Sequence, residues 1–296
     1  MIQKTIIRFL AYILLFLGLS MLLTSGWSIY YGEDDLLAFI KSGAFTISLS
    51  LILLLVSRGK TKNSINLKEG FYVVTSAWIL MGFFCALPYF LSPYFTNFID
   101  AFFESMSGIT TTGATIIGSN LGYSIEELPH GILFWRSFTQ FIGGMGIILF
   151  TIAILPILGM GGVQLFRAEV PGPSTDKFTP RIKETAKYLW IIYLGLIFIE
   201  TIVLYIEGII FNIDKLTFFN SLCHSMTTIS TAGFSTFNNS IAGFESDIVS
   251  WTIIVFMFLG ATNFSLHFLL ISKKSFEYFN DSEFKFYVSI ISFFFL

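Results

Sequence analysis

Glu104-Ser-Met-Ser-Gly-Ile-Thr-Thr-Thr-Gly113 returns, 120 positions later, as His224-Ser-Met-Thr-Thr-Ile-Ser-Thr-Ala-Gly233. Ser105, Met106, Ile109, Thr111 and Gly113 are identical to Ser225, Met226, Ile229, Thr231 and Gly233, and upstream Phe98 matches Phe218. Each copy follows an apolar stretch, near 97–109 and 216–229, that is too short to cross a bilayer, which takes roughly 20 residues. With long apolar runs on either side, each copy reads as span, short re-entrant helix, Thr/Gly loop, span. Irregular backbone is tolerated at membrane depth only where it is buried in protein or lines a water-filled path. A short helix entering from the outer side turns the negative end of its dipole towards the membrane centre, where it stabilises a cation and repels an anion. Behind it, Thr110-Thr111-Thr112-Gly113 and Ser230-Thr231-Ala232-Gly233 are short enough to run extended with their carbonyls towards an axis. Rings of such carbonyls replace the hydration shell of a bare cation, whose burial otherwise costs on the order of tens of kcal/mol. Glycine at the end of each copy can hold backbone angles that aim its carbonyl inward. A lone Thr-Gly turn between helices is ordinarily only a turn. Two copies in equivalent loops, each behind a short apolar helix, predict an ion filter.

The rest of the chain agrees with a membrane setting. Hydrophobic residues make up 54% and charged residues 12%, with a mean hydropathy of +0.77, whereas a soluble domain carries about 25% charged residues. The 36 Phe suit side chains that face lipid. No basic stripe interleaved with aromatics appears, which sets nucleic acid aside as a partner. Apolar runs fall near 6–31, 36–57, 71–92, 131–157, 187–211 and 248–272, and a seventh begins around Phe284. Lys4 and Arg8 precede the run from Phe9 to Leu23, but no small-x-small cleavage site follows, so a retained helix is expected rather than a signal peptide. Basic residues (Lys4, Arg8; Arg58, Lys60, Lys62, Lys68; Arg167, Lys177, Arg181, Lys183, Lys187; Lys273, Lys274) alternate with acidic loops at Glu33–Asp35, Glu126–Glu127 and Glu245–Asp247. By the positive-inside rule the basic side, with the N-terminus, is cytoplasmic. The expected fold is therefore all-α and polytopic, with helix–pore loop–helix repeats and re-entrant pore helices. Its parts are an N-terminal helix pair (1–57), a first repeat (58–157), a cytoplasmic linker (158–186), a second repeat (187–272), and a linker with the start of a third repeat (273–296).

Several strings carry a resemblance: Ile109-Thr-Thr-Thr-Gly-Ala-Thr115, Ser230-Thr-Ala-Gly-Phe-Ser-Thr236, Trp135-Arg-Ser-Phe-Thr-Gln-Phe-Ile-Gly-Gly-Met-Gly146, Gln164-Leu-Phe-Arg-Ala-Glu169, Pro171-Gly-Pro-Ser174 and Thr179-Pro-Arg-Ile-Lys-Glu-Thr-Ala186. With them the chain resembles the Trk/Ktr/HKT superfamily of potassium transporters, most of all its TrkH branch, over almost its whole length. That resemblance implies four unequal repeats around one pore, of which 71–157 and 187–272 would be the first two. It implies K+ as the transported ion with no cofactor and no enzymatic chemistry. The K+ filter would be lined by Thr111, Thr112 and Gly113 with Thr231, Ala232 and Gly233, flanked by Thr110 and Ser230. In the family a Ser at the first filter glycine goes with Na+ permeation, and Gly113 favours K+. The resemblance further implies a bacterial inner (cytoplasmic) membrane location, a homodimer, and a cytosolic nucleotide-binding regulatory subunit of TrkA type. The third and fourth repeats, with the family's gating loop and basic pore residue, lie outside this sequence, so a truncated reading frame or a fragment is expected. Coupling of K+ uptake to Na+ or H+, and a non-conducting product, stand as alternatives.

Other residues divide between structural and functional readings. Glu200 falls mid-span, where a carboxylate is expensive; it either lines a water path or pairs with another helix, or is protonated and hydrogen-bonded to a neighbour. Arg136 is expected to pair with a pore-helix carboxylate such as Glu104. Asp100 and Glu104 would draw cations to the outer mouth, or Asp100 would stabilise the start of its helix. Gly143-Gly144-Met145-Gly146 lies within a span with no preceding strand, so close helix packing explains it better than nucleotide binding. Asn263 and His267, four apart, suggest packing hydrogen bonds. Cys85 and Cys223 lie in apolar surroundings as packing residues, and the three histidines have no metal-ligand spacing. An intramembrane hydrolase would need a nucleophile–base pair or a His-Glu-x-x-His string, and none is present. Residues 158–186 are the candidate surface for a regulator, or a solvated linker.

Overall fold

The computed structural model describes residues 2–59, 67–118, 121–146, 182–273 and 280–295. Within them the chain forms eleven α-helices with short 3-10 turns and no strand. They are α1 (Ile2–Tyr31), α2 (Leu36–Val56), α3 (Leu67–Cys85), α4 (Leu87–Leu91), α5 (Phe98–Ile109), α6 (His130–Gly144), α7 (Ile182–Ile210), α8 (Phe218–Ile229), α9 (Asp247–Ala261), α10 (Phe264–Lys273) and α11 (Ser282–Phe295). The segments Lys4–Tyr31, Leu36–Val56, Gly70–Leu91 and Lys187–Ile210 are each long and apolar enough to cross a membrane. Their exposed faces are rows of Leu, Ile and Phe, as in Leu51, Ile52, Leu55, Phe198, Ile199 and Ile202. Such a surface suits lipid and not water.

α1 and α2 pair tightly because small residues face each other. A side chain on Gly18 would meet Ile47 at 2.6 Å, and one on Gly43 would meet Leu22 at 2.9 Å. α3 stops at Cys85 and restarts as α4 with Pro88 in its first turn, the position where a missing N–H costs nothing. The two short helices α5 and α8 hold 12 residues each, about 18 Å or half the hydrocarbon thickness. Both begin with the same device: Asn97 accepts from the Asp100 N–H at 2.9 Å, and Thr217, its counterpart 120 positions on, accepts from the Asn220 N–H at 3.2 Å. Such N-caps satisfy one of the four orphan donors at a helix start.

α6 stands between the two short helices and packs on both. Its own start is held from the α1–α2 turn. Glu33 accepts from the His130 backbone N–H and pairs with its ring Nδ1, both at 2.7 Å, while Asp35 accepts from the Ile132 N–H at 3.1 Å. The His130 ring lies flat on Tyr31, centroids 3.5 Å apart.

The predicted span over 248–272 is two helices, α9 and α10. The chain is extended at Thr262 (φ −73°, ψ 141°), the Thr262 hydroxyl donates to the Phe258 carbonyl at 2.8 Å, and His267 Nε2 takes the Leu259 carbonyl at 3.0 Å. Thr and Asn offer the backbone such local alternatives to the helix. The predicted span over 131–157 is helical from His130 to Gly144, and its second half lies outside the described residues, as does the linker up to Arg181. The seventh run is the helix α11.

Candidate functional site: the paired filter loops

The two short helices end in the same geometry. In the first, the Thr111 N–H reaches the Gly108 carbonyl at 3.0 Å and the Thr112 N–H reaches Ser107 at 3.0 Å. In the second, Thr231 reaches Thr228 at 2.9 Å and Ala232 reaches Thr227 at 3.0 Å. These crossed bonds are a Schellman cap, which satisfies two carbonyls of the last turn and needs a left-handed residue at its centre. That residue is Thr111 (φ 54°) or Thr231 (φ 52°). A β-branched side chain there is a true outlier, and finding it twice at equivalent places marks the loops as constrained. Gly113 (φ 74°) and Gly233 (φ 143°) follow in regions that favour glycine.

This differs in one respect from an extended run over all four residues. Thr110 and Ser230 still belong to their helices as caps, and the irregular segment starts at the left-handed threonines. Thr110, Thr112, Thr231 and Gly233 are exposed, while Thr111, Gly113 and Ala232 are half-buried and Ser230 is buried. The loops also meet each other: a Cβ on Gly113 would lie 3.1 Å from the Ala232 carbonyl oxygen and 3.3 Å from the Gly233 Cα.

One buried ion pair ties both loops down. Arg136 of α6, only 1% exposed, donates from Nε to Glu104 Oε1 at 2.8 Å, as the sequence predicts. Its Nη1 donates to the Ser235 carbonyl at 2.8 Å, its Nη2 to the Thr115 hydroxyl at 3.3 Å, and its guanidinium covers the Phe234 ring at 4.3 Å. Glu104 in turn accepts from the Thr115 hydroxyl (2.9 and 3.0 Å) and from the Ile116 N–H (3.1 Å). Gln140, one turn further along α6, takes the Phe234 N–H at 3.1 Å. Glu104 is thus occupied and fully buried, which removes it as an attractor of cations at the mouth; Asp100 is half-buried and accepts from the Asn97 side-chain amide at 2.6 Å. In the second repeat His224 stands where Glu104 stands in the first, and bonds Ser235 Oγ, the counterpart of Thr115, at 2.9 Å.

The glycine string at the end of α6 packs as small residues do. A Cβ on Gly143 would strike the Ile109 carbonyl, and one on Gly144 would strike Ser230. Gly260 of α9 plays the same part for the Ile229 carbonyl, at 2.9 Å. No string shared by the two repeats announces Gly260, so sequence reading misses it. Thr115, Ser235 and Gln140 are missed too, because their roles depend on contacts 11 to 99 positions away. Cys85 and Cys223 are buried free thiols in packing positions. Among the described residues no group of His, Cys, Asp or Glu is arranged to hold a metal ion.

Residues 36–295 match the family described as TrkH, cation transport protein. The chain belongs to the TrkH family. A TrkH-family relative from Escherichia coli K12, the Trk system potassium uptake protein TrkH, is 41% identical over 283 residues, covering 92% of this chain and 56% of the relative. The protein of the same name from Vibrio parahaemolyticus is 36% identical over 97% of this chain and 58% of the relative. The crystal structure of the potassium transporter TrkH from V. parahaemolyticus superposes with a TM-score of 0.77 at 32% identity, over 98% of this chain and 57% of that one. The chain therefore spans a little more than half the length of the TrkH relatives it matches. Family and relatives are transporters, and this chain is a multi-pass membrane protein of the same fold.

Proposed function

We propose that the chain forms two of the repeats of a potassium uptake pathway, with K+ passing along the loops of residues 110–113 and 230–233. The observation that carries this reading is the meeting of two equivalently capped loops, Gly113 against Ala232 and Gly233. Each lies at the negative end of a short helix, where a dehydrated cation is stabilised, and backbone carbonyls in such loops can replace water around an ion. The relatives are potassium uptake proteins, which supports K+ as the ion. Residues 58–157 and 187–272 are then the two repeats and 1–57 a separate helix pair. Uptake coupled to Na+ or H+ is the alternative mode.

A bacterial inner membrane with a cytoplasmic N-terminus is part of the proposal. Lys4 and Arg8 reach the carbonyls of residues 57–59, so the basic ends of α1 and α2 lie together. Glu33, His130, Glu126 and Asn238 gather at the opposite, acidic end. A homodimer and a TrkA-type nucleotide-binding regulator are proposed from family membership and from the relatives' place in a Trk system.

The test is potassium-limited growth of a bacterium lacking its own K+ uptake systems. It would express the 296 residues alone, or joined to the remaining length of a matched relative, with insertion checked in both. Growth in the joined protein that is lost on changing Gly113 and Gly233 is the expected result. Growth indifferent to both glycines would overturn the filter assignment.

A further inference from the structure

Glu200 lies in the middle of the membrane segment Lys187–Ile210 with none of its surface exposed, and neither carboxyl oxygen has a hydrogen-bond partner among the described residues. An unpaired buried charge is costly enough in water-soluble proteins and more so at bilayer depth. α8, α9 and α10 pack along α7, and the end of α6 reaches it where the Tyr193 hydroxyl donates to the Phe141 carbonyl at 2.9 Å. The first three carry Cys223 and His224, Asp247, and His267 and Lys273 respectively, and Arg136 of α6 is paired with Glu104. Among the described side chains none of these supplies a counter-charge to Glu200. His224 commits its ring nitrogens to Asn220 O and Ser235 Oγ, and His267 turns Nε2 to the Leu259 carbonyl. Cys223 is a buried thiol, Asp247 opens α9 at the acidic end, and Lys273 closes α10.

The polar side chain that acts on the Glu200 carboxyl is Thr228, on the facing helix α8. Thr228 matters because its carbonyl accepts the Thr231 N–H, the bond that opens the second loop. It also belongs to the last turn of α8, where the helix dipole opposes a negative charge. The first repeat has no such arrangement. Gly108 replaces Thr228 there and packs directly on Thr139, and its span Gly70–Leu91 contains no charged residue.

We propose that Glu200 is a proton-binding site: its carboxyl group keeps a proton at membrane depth and, as a neutral donor towards the Thr228 hydroxyl, positions the end of α8 beneath the second filter loop. Glu200 is a positioning residue here and does not touch the ion. The positioning half rests on the filter reading above; the proton half rests on burial and the missing partner alone.

The experiment has two arms. Infrared difference spectra of the purified, membrane-reconstituted chain and its Glu200→Gln variant at neutral pH should show the carbonyl band of a neutral carboxylic acid in the first and not in the second. Absence of that band overturns the proton site whatever transport assays give. In liposomes holding the chain joined to the remaining length of a matched relative, Glu200→Gln should keep the K+ over Na+ flux ratio close to that of the parent. Glu200→Leu and Thr228→Val should each lower it about tenfold, and together no further, as loss of one shared buried hydrogen bond allows. A flux ratio untouched by Glu200→Leu, or lowered equally by Gln and Leu, overturns the positioning role. A parent with no K+ preference sinks the filter reading and the positioning role with it, while the infrared result stands separately.

Discussion

Gly113 is constrained twice, by a left-handed backbone and by the carbonyl of Ala232 facing the space where a side chain would go. A Gly113→Ser substitution should therefore strain the loop by about 1–2 kcal/mol and push the two loops apart. In the joined transporter, paired Rb+ and Na+ flux measurements should show K+ preference falling, and an unchanged ratio would count against the assignment. Arg136 and Glu104 offer a second test at this scale. Both are buried, so Glu104→Gln or Arg136→Met alone should destabilise the protein by about 3–5 kcal/mol, because each strands the other's charge. The double variant should cost less than the sum, read as thermal unfolding in detergent. This pair was legible in the sequence because an arginine in one span and a glutamate in a short apolar helix have few other partners. Its further bonds to Thr115 and Ser235 were not, since they depend on how two irregular loops fold towards α6.

Among the elements, the short helices are the best specified by sequence. Their length, their Asn97 and Thr217 caps and their Thr/Gly ends all recur at one offset. Replacing Thr217 by Ala should cost about 1 kcal/mol of stability and leave the loop beyond Ile229 in place. The N-terminus of α6 is a different case. Asp35, fully buried against Ile132, is pushed up from the usual carboxylate range to about 6 by desolvation. A carboxyl raised in the folded state contributes stability that is complete below its unfolded value near 3.8 and is lost as pH rises through about 6. Wild-type thermal stability should thus fall between those two pH values, by at most about 3 kcal/mol. Asp35→Asn keeps the acceptor for the Ile132 N–H and should flatten that slope. A slope that survives the substitution would assign it to another group. The break between α9 and α10 escaped sequence reading because a run of apolar residues looks alike whether or not its hydrogen bonds are continuous. The informative residues, Thr262 and His267, act on the carbonyls of Phe258 and Leu259.

For the whole molecule, hydropathy picks out, among the described residues, the four helices long and apolar enough to cross a membrane, and the basic residues bring the ends of α1 and α2 together. Periodicity says much less about neighbours in space. α1 packs on α6 as well as α2, and the Trp27 ring meets Phe219 of the second short helix at 5.0 Å. Such contacts come from how repeats wrap around one another, a property of surfaces and not of any local string. The loops that follow the two short helices are also knotted together by polar bonds: the Ile125 N–H donates to Asn238 Oδ1 at 3.0 Å, and the Asn238 N–H donates to Glu126 Oε1 at 2.8 Å. Exchanging Asn238 for Ala should leave insertion intact. It should also loosen this clasp, seen as faster protease cleavage near Glu126.

Arg136 reaches the second loop through a backbone carbonyl and the face of a ring. A main-chain acceptor is indifferent to which side chain follows it, whereas the ring face asks for an aromatic at 234, so the brace depends on one residue from each half. Genes split between the two halves, or halves borrowed from divergent cousins, should accordingly reassemble when co-expressed, provided the first half brings its arginine and the second its aromatic ring.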